Sequence, residues 1–320
     1  MPGKTKLRQE LEARGIRDVS LCLYPLKAAE AASTRDIFHY HIEKCGGMAV
    51  SSALLGAAHI DRLINRRNRI FARATSSTAE ALHNRNDKTA QAFVSYVGEF
   101  NGPRFGSHLL LGDTALTFAF FRNPFDRLVS HFYYDCRRGN ITAPPGPDSF
   151  AAYIRSPENI CFQTQMMASS PYDGGNEAAL LDEALSNTGK LDIAELHHRM
   201  EQALLEIWTV FDLPGIVAER LHSNAAKPYD FEAFRDEIEK RNWADYRLVD
   251  FVTAEPRHLM QFTEHDLNCM MLPQYFGVVS DTQSDEGALM VGKVCRSETL
   301  VRAIAEPDTH SVADIFRRAD

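Results

Sequence analysis

Two short stretches of the chain combine residue types that bind phosphate groups. The first, HIEKCGGMAVSSAL at residues 41–54, places Lys44 before Gly46 and Gly47 and ahead of a helix-like run of small residues. A glycine turn that opens a helix exposes backbone N–H groups and the positive end of the helix dipole, to which the lysine adds a full charge. The nucleotide signature G-x-x-x-x-G-K-[ST] has its lysine after the glycines, so this order indicates another phosphate ligand. A tight turn with a surface lysine is the alternative.

The second stretch, RNPFDRLVSHFYY, holds Arg122 directly after an apolar run and Ser130 inside the segment that follows. An arginine grips a phosphate through a bidentate fork, and a serine hydroxyl adds a further hydrogen bond. Both Arg122 and Lys44 follow predicted strands, and ligands of doubly wound sheets bind at the carboxyl ends of strands. A salt-bridged arginine and a small packing residue are the structural alternative.

The hydrophobic pattern predicts the elements that would position these residues. Alternating or apolar runs predict strands at 36–42, 92–97 and 114–121, and apolar residues at three- and four-residue spacing predict a helix at 48–64. The polar stretch 66–91 is predicted to be a connection that contains a helix.

The second half of the chain is predicted to be mainly helical. Asn123 and Pro124 are good residues for a helix start, Gly139 for its end, and the prolines of 140–149 predict a loop. From 150 to about 255 the apolar residues recur at helical spacing. Strands alternating with helices and then followed by helices predict an α/β fold with a central parallel sheet flanked by helices and a helical C-terminal half.

The composition argues against several classes of protein, including general nucleic-acid binders and membrane-spanning proteins. The chain has 320 residues, 44% of them hydrophobic, and a formal charge of −8, which argues against a general nucleic-acid binder. Its six cysteines form no C-x-x-C pair, no carboxylate-rich metal motif is present, and no run of apolar residues is long enough to span a membrane. Without an apolar segment after its basic N-terminus, the protein is expected to be soluble and cytoplasmic, with no membrane span. It is also expected to need no metal and to bind no nucleic acid.

Together the two stretches resemble motifs of the sulfotransferases that use 3′-phosphoadenosine 5′-phosphosulfate (PAPS). They are most similar to the carbohydrate group, which includes the hexuronyl 2-O-sulfotransferases and the bacterial sulfotransferase family 2 proteins. The segments ENICFQTQMMA and IEKRNWADYRLVDFV resemble two further family segments more weakly. The resemblance implies a P-loop-NTPase-like sheet and a sulfotransferase domain at 35–255, between an N-terminal extension (1–34) and a C-terminal extension (256–320) that packs on or continues the same domain.

The resemblance also implies roles for individual residues in binding PAPS as co-substrate. Lys44 would contact the 5′-phosphosulfate and stabilise the leaving phosphate, and Arg122 with Ser130 would bind the 3′-phosphate. The residues implied at the 5′-phosphosulfate loop are Lys44, Cys45, Gly46, Gly47, Met48 and Ala49. Gln163 and Thr164 are weaker candidates for the acceptor side, where a hydroxyl of a glycan or another polyol would bind.

His108 is the candidate catalytic base. Histidine suits this role because its pKa is close to working pH. His108 lies between the two phosphate motifs, and the resemblance implies a catalytic histidine there, although Ser107 replaces the glycine that usually precedes it.

Three residues of the first motif depart from the family pattern. Met48 and Ala49 stand where the family has hydroxyl residues, with Ser51 only later in the chain, and Glu43 replaces a common proline beside Lys44. A degenerate relative that binds the nucleotide without turnover is therefore one alternative function. A P-loop-like kinase is another, although the chain has no G-K-[ST] sequence.

Overall fold

A five-stranded parallel sheet forms the centre of the fold and has the strand order β3-β4-β2-β5-β6. A computed structural model describes residues 22–23, 33–64, 69–74, 90–96, 105–111, 113–213, 215–216, 228–260, 275–279 and 289–293. The strands are β1 (Cys22–Leu23), β2 (Ile37–Tyr40), β3 (Arg69–Ala74), β4 (Gln91–Tyr96), β5 (Leu116–Phe121), β6 (Ile193–Leu196), β7 (Gly215–Ile216), β8 (Tyr275–Val279) and β9 (Leu289–Lys293). The short strands β1 and β7 pair antiparallel, and so do β8 and β9.

Helices follow the strands of the central sheet and make up most of the described chain after β5. They are α1 (Gly47–Ile64), α2 (Pro124–Arg138), α3 (Pro147–Arg155), α4 (Phe162–Met167), α5 (Glu177–Thr188), α6 (Met200–Val210), α7 (Arg235–Arg241) and α8 (Trp243–Ala254). Short 3₁₀ turns lie at Ser107–Leu111, Pro157–Asn159, His197–Arg199 and Glu232–Phe234.

The two central strands, β2 and β5, are buried at every position. Strands covered on both faces are typical of parallel sheets, and they explain the continuous apolar run of β5. Around them lies one hydrophobic core, while a second cluster of aromatic residues joins α2 to α3 and includes Phe132, Phe150 and Phe231.

The strand order places a topological switch point between β2 and β5. These two strands are neighbours, yet the next strand after β2 lies on one side of the sheet and the next strand after β5 lies on the other. A crevice opens beyond the carboxyl ends of two such strands, and it is the usual ligand site of an open parallel sheet. The residues that follow β2 and β5 are the loop containing Lys44 and the turn containing Arg122.

The coarse prediction of a parallel α/β sheet is confirmed, and the predicted helix after β5 has the expected ends. The Asn123 side chain accepts a hydrogen bond from the Asp126 amide, Pro124 is the first helical residue, and Gly139 closes α2 with φ 77°. These are the N-cap, first-turn proline and left-handed C-terminal glycine that the sequence predicts.

Two strands of the sheet were not predicted. Strand β3 lies in the stretch predicted as a polar connection; it is an edge strand whose Ile70, Phe71 and Ala72 are only partly buried, so its sequence is less apolar than that of a central strand. Strand β6, at the other edge, lies where a helix was predicted, because four residues leading directly into a helical pattern show no period of their own. The C-terminal half is therefore not helical throughout.

The two extensions are described only in part. The predicted N-terminal extension, residues 1–34, falls mainly outside the described residues, although Cys22–Leu23 form β1. In 256–320, Arg257 pairs with Ala194 of β6, and β8 and β9 form a two-stranded sheet. No helix in the described part of the chain is long and apolar enough to cross a membrane.

Candidate functional site

The loop between β2 and α1 has the backbone geometry of an anion-binding turn. Lys44 and Gly46 both have left-handed backbones, with φ 66° and 92°, whereas Cys45 between them does not. Alternation of this kind turns neighbouring N–H groups toward one side, as in the nests that bind anions. The Cys45 amide donates to the Ile42 carbonyl at 3.2 Å, so the amides of Lys44 and Gly46 are the ones that this nest can offer. Gly47 begins α1, and a Cβ at this position would lie 1.8 Å from the His41 ring, so only glycine fits.

The N-terminus of α1 adds a positive dipole end to this loop. The first turn contains no acidic side chain, and Val50 donates its amide to the Gly46 carbonyl as the helix begins. Met48 in the first turn is 42% exposed, whereas Ser51 is buried and donates its hydroxyl toward the Gly47 carbonyl and the Ser95 hydroxyl, 2.8 Å from each. The Ser51 hydroxyl therefore points into the protein. In the first turn of α1, the groups that can bind an anion are backbone N–H groups.

The Lys44 ammonium lies against α2. Its Nζ is 4.2 Å from the centroid of the Tyr134 ring, and burial, followed by the nearby charge of Arg137, lowers the pKa of Lys44. Ser130 is one helical turn before Tyr134 on α2 and is partly buried. Residues four apart on a helix share a face, so Ser130 and the Lys44 contact lie on the same side of α2.

Glu43, whose charge beside Lys44 was unexpected, is paired with another residue. Its Oε2 lies 3.1 Å from Nε2 of His131, which is also 3.6 Å from Oδ2 of Asp135. Burial acts to raise the pKa of Glu43, but the hydrogen bond and charge of His131, together with the charges of His41 and Arg127, outweigh it, so the pKa lies below its usual value. Glu43 is therefore an anion held by α2, and its carboxylate is engaged away from the loop.

Arg122 physically joins the two predicted phosphate motifs. Its Nη1 donates to the backbone carbonyl of Lys44 at 3.1 Å, which links the end of β5 to the loop after β2. The Nε of Arg122 is buried and has no hydrogen-bond partner within the described chain. The structure thus brings together Lys44, Arg122 and the α2 face that carries Ser130.

Gln163 holds the backbone of Arg122 from both sides. Its Oε1 accepts from the Arg122 amide at 2.9 Å, its Nε2 donates to the Arg122 carbonyl at 2.8 Å, and the Cys45 thiol donates to the same Oε1 at 3.4 Å. Gln163 is fully buried and contacts both motifs. The structure therefore gives this side chain a positioning role, and contact with the acceptor stays a prediction.

Thr164 helps to hold the helix that carries Gln163. Asp245 of α8 accepts hydrogen bonds from the amides of Gln163 and Thr164 and, at 2.8 Å, from the Thr164 hydroxyl, while Asn242 accepts from the Cys161 amide at 2.8 Å. Burial raises the pKa of Asp245, and the charge of Arg127 is the largest effect opposing that shift. The two segments with the weaker resemblance are thus in direct contact.

Replacing Gln163 with leucine is expected to lower the free energy of unfolding by about 1–3 kcal/mol, because the Arg122 amide and carbonyl would lose buried partners. It should also weaken anion binding, since Arg122 would lose its fixed position. Chemical denaturation and calorimetry measure the two effects. Gln165→Leu is the matched control and should bind anions normally, because Gln165 lies in the same helix and its side chain donates to the Ile160 carbonyl, away from Arg122. Normal binding by Gln163→Leu would refute the positioning role.

His108 is anchored to the end of β2 by Tyr40. The Tyr40 hydroxyl lies 2.5 Å from Nδ1 of His108 and accepts the Gly106 amide at 3.1 Å, and the Phe105 ring stacks on Tyr40. For Nε2 to accept a proton, Nδ1 must carry the ring hydrogen and donate it to the Tyr40 oxygen. Tyr40 is therefore the group that can hold His108 in the tautomer that a base requires.

The environment of His108 favours the neutral form of its ring. Burial lowers the pKa of His108 below 6.5, and the charge of Asp192 opposes this only in part. The hydrogen bonds and ring contacts of His108 involve Tyr40, Phe38 and Phe105, whereas those of Lys44 involve Tyr134 and Arg122. His108 is therefore held at the end of β2, as is the loop that contains Lys44. The contacts of His108 are nevertheless with other residues than those of Lys44.

The sequence prediction missed four residues that the structure places around the loop: Tyr40, Arg127, His131 and Asp245. Arg127 and Asp245 each left a signal, because Arg127 is the second arginine of the R-x-P-x-x-R-x-x-S spacing in RNPFDRLVSHFYY and Asp245 lies in IEKRNWADYRLVDFV, and both stretches resemble family segments. The others act through contacts between distant segments, which one sequence does not reveal.

Comparisons with known proteins assign no family to the chain. No protein-family model matches it, and no curated protein matches it significantly. Within the described residues, no group of three or more His, Cys, Asp or Glu side chains is arranged to hold a metal ion. The functional conclusion must therefore rest on the geometry of the loop, of Arg122 and of His108.

Proposed function

We propose that this protein is a sulfotransferase that moves a sulfuryl group from PAPS to a hydroxyl of a carbohydrate or another polyol. The observation that carries the proposal is the hydrogen bond from Arg122 to the Lys44 carbonyl, because it joins two motifs that each suit a phosphate. Both motifs lie at the switch point of a parallel sheet, which supports a P-loop-NTPase-like arrangement of the ligand site.

PAPS would supply the sulfuryl group and a phosphate as leaving group. The nest at Lys44–Gly46 and the N-terminus of α1 suit the 5′-phosphosulfate, and Arg122 with Ser130 suits the 3′-phosphate. The orphaned Nε of Arg122 supports this assignment, since a buried guanidinium N–H without a partner is costly and a bound oxyanion would satisfy it.

The proposed reaction is a direct transfer. The acceptor oxygen forms a bond to sulfur while the bond between sulfur and the bridging oxygen of the 5′-phosphate breaks. His108 takes the acceptor proton at Nε2, and Lys44 stabilises the negative charge on the departing phosphate oxygen. Most of the rate enhancement would come from positioning and electrostatics, as in phosphoryl transfer.

A second candidate function is nucleotide binding without turnover. The observation that favours it is the first turn of α1, where Met48 and Ala49 offer no hydroxyl and Ser51 is turned inward. Binding of 3′-phosphoadenosine 5′-phosphate with no transfer to any acceptor would support this candidate over the enzyme.

Calorimetric titration with 3′-phosphoadenosine 5′-phosphate, beside ATP, tests the donor site. We expect binding in the micromolar range, much weaker binding of ATP, and a loss of about 10- to 100-fold in Arg122→Ala, the equivalent of one charge-assisted hydrogen bond. ATP binding as tight as the bisphosphate would favour a kinase instead, and no binding of the bisphosphate would overturn the proposal.

A further inference from the structure

The Arg127 guanidinium is a buried cation that finds no hydrogen-bond partner among the described residues. Its side chain is fully buried in α2, and Nε, Nη1 and Nη2 all lack an acceptor within the described chain. A guanidinium group carries five N–H donors, and burying them unpaired is strongly unfavourable. Such a group needs a physical explanation, since nearly all buried polar groups in folded proteins are hydrogen-bonded.

Arg127 packs against a residue next to Gln163, which supports the loop between β2 and α1. Its Cζ lies 4.4 Å from the centroid of the Phe162 ring, and Phe162 is next to Gln163, which contacts both Arg122 and Cys45. Burial raises the pKa of Cys45 to about 12, and of the charges that oppose this shift Arg127 is the largest. Through Phe162, Arg127 therefore packs against the segment that supports the loop, and its charge acts on Cys45, the middle residue of the nest.

The carboxylates around Arg127 do not form ion pairs with it. Its charge acts on the pKa values of Glu43 and Asp245, yet neither carboxylate lies within 4 Å of the guanidinium in the described structure. Glu43 is engaged by His131, and Asp245 by Gln163 and Thr164. Each carboxylate has its own hydrogen-bond donors, so the charge of Arg127 is left without a close counter-ion.

We propose that Arg127 supplies a third positive charge to the anion site, beside Lys44 and Arg122, and that a bound phosphate or phosphosulfate offsets the charge that Arg127 carries unpaired. Two observations point to the same ligand, the orphaned guanidinium and the nest at the start of α1. The chemical class of the ligand follows from them alone, while the identity of that ligand as PAPS rests on the proposed function.

The test compares Arg127→Met with the wild-type protein by thermal unfolding and calorimetry, using inorganic pyrophosphate and 3′-phosphoadenosine 5′-phosphate as probes. Removing an unpaired buried charge should raise the melting temperature of the ligand-free protein and weaken binding of both probes by about tenfold or more. These opposite signs distinguish a ligand-directed charge from a structural one. Arg155→Met, which breaks an exposed pair with Glu237, is the matched control and should change neither quantity appreciably.

A lower melting temperature with unchanged binding of both probes would overturn the inference and make Arg127 a structural residue. If Arg127→Met does not fold, Arg127→Gln keeps the polarity of the site, and wild-type affinity in that variant would also overturn the inference. If wild-type protein binds pyrophosphate but not the bisphosphate, the proposed sulfotransferase function fails. The pyrophosphate comparison between wild type and Arg127→Met then still decides the role of Arg127.

Discussion

Replacing His108 with alanine is expected to lower the turnover of sulfuryl transfer by about 100- to 10,000-fold, the usual contribution of a positioned general base. Binding of the bisphosphate should stay near the wild-type value, because the contacts of His108 are separate from those of Lys44 and Arg122. Single-turnover rates with a sulfated-product readout, set beside calorimetry, measure the two effects independently.

The pH dependence of the wild-type rate is a second test of the same residue. Only neutral imidazole can accept a proton, and burial lowers the pKa of His108 from 6.5. As pH falls, the neutral ring therefore persists below pH 6.5, and the acid limb of the rate profile should lie below that value. An acid limb clearly above pH 6.5, or full activity in His108→Ala, would contradict the assignment.

Tyr40→Phe is the graded control for His108→Ala. It keeps the ring that stacks on Phe105 and removes only the hydroxyl next to His108 Nδ1. A lost neutral hydrogen bond of about 0.5–1.5 kcal/mol corresponds to a fall in turnover of about 2- to 10-fold, with the bisphosphate affinity retained.

The parts of the fold that could be predicted from the sequence are those that local physics determines. β5 is buried on both faces, so its sequence is almost entirely apolar, and Asn123, Pro124 and Gly139 define α2 by their own backbone preferences. The edge strands β3 and β6 could not be predicted because their pairing depends on neighbours distant in the chain. In β6, moreover, a buried Glu195 interrupts the apolar run; its Oε1 accepts the Leu196 amide, and its Oε2 lies 3.3 Å from Nε2 of His258.

The candidate site shows the same division. The turn at Lys44–Gly47 was predicted because glycines before a helix have a local meaning. The structure gives Gly46 a left-handed backbone and brings Gly47 too close to the His41 ring for a side chain. Gln163 was predicted to contact the hydroxyl substrate. The sequence of a motif does not show which group an amide side chain will bond to. Its partner is the backbone of Arg122, forty-one positions earlier in the chain, and such a contact can be seen only in three dimensions.

Substitutions at Lys44 should separate the function of the loop from its stability. Lys44→Ala and Lys44→Gly both remove the ammonium, and each should lower turnover by about 100- to 1,000-fold, as when one preorganised charge-stabilising group is lost. The two variants should nevertheless differ in stability. With φ 66° at this position, alanine keeps a backbone strain of about 1 kcal/mol, which glycine relieves. Glycine also makes the unfolded chain more flexible, which offsets part of this stabilisation.

Chemical denaturation should therefore rank Lys44→Gly as more stable than Lys44→Ala, while both are equally inactive. Lys44→Arg is the matched control, because it keeps the charge above Tyr134 and should retain part of the turnover. If Lys44→Gly were as active as the wild type, the ammonium would have no part in the chemistry, and the left-handed backbone would serve only the turn. If both variants were inactive but also failed to bind the bisphosphate, Lys44 would act in binding the donor before it acts on the leaving group.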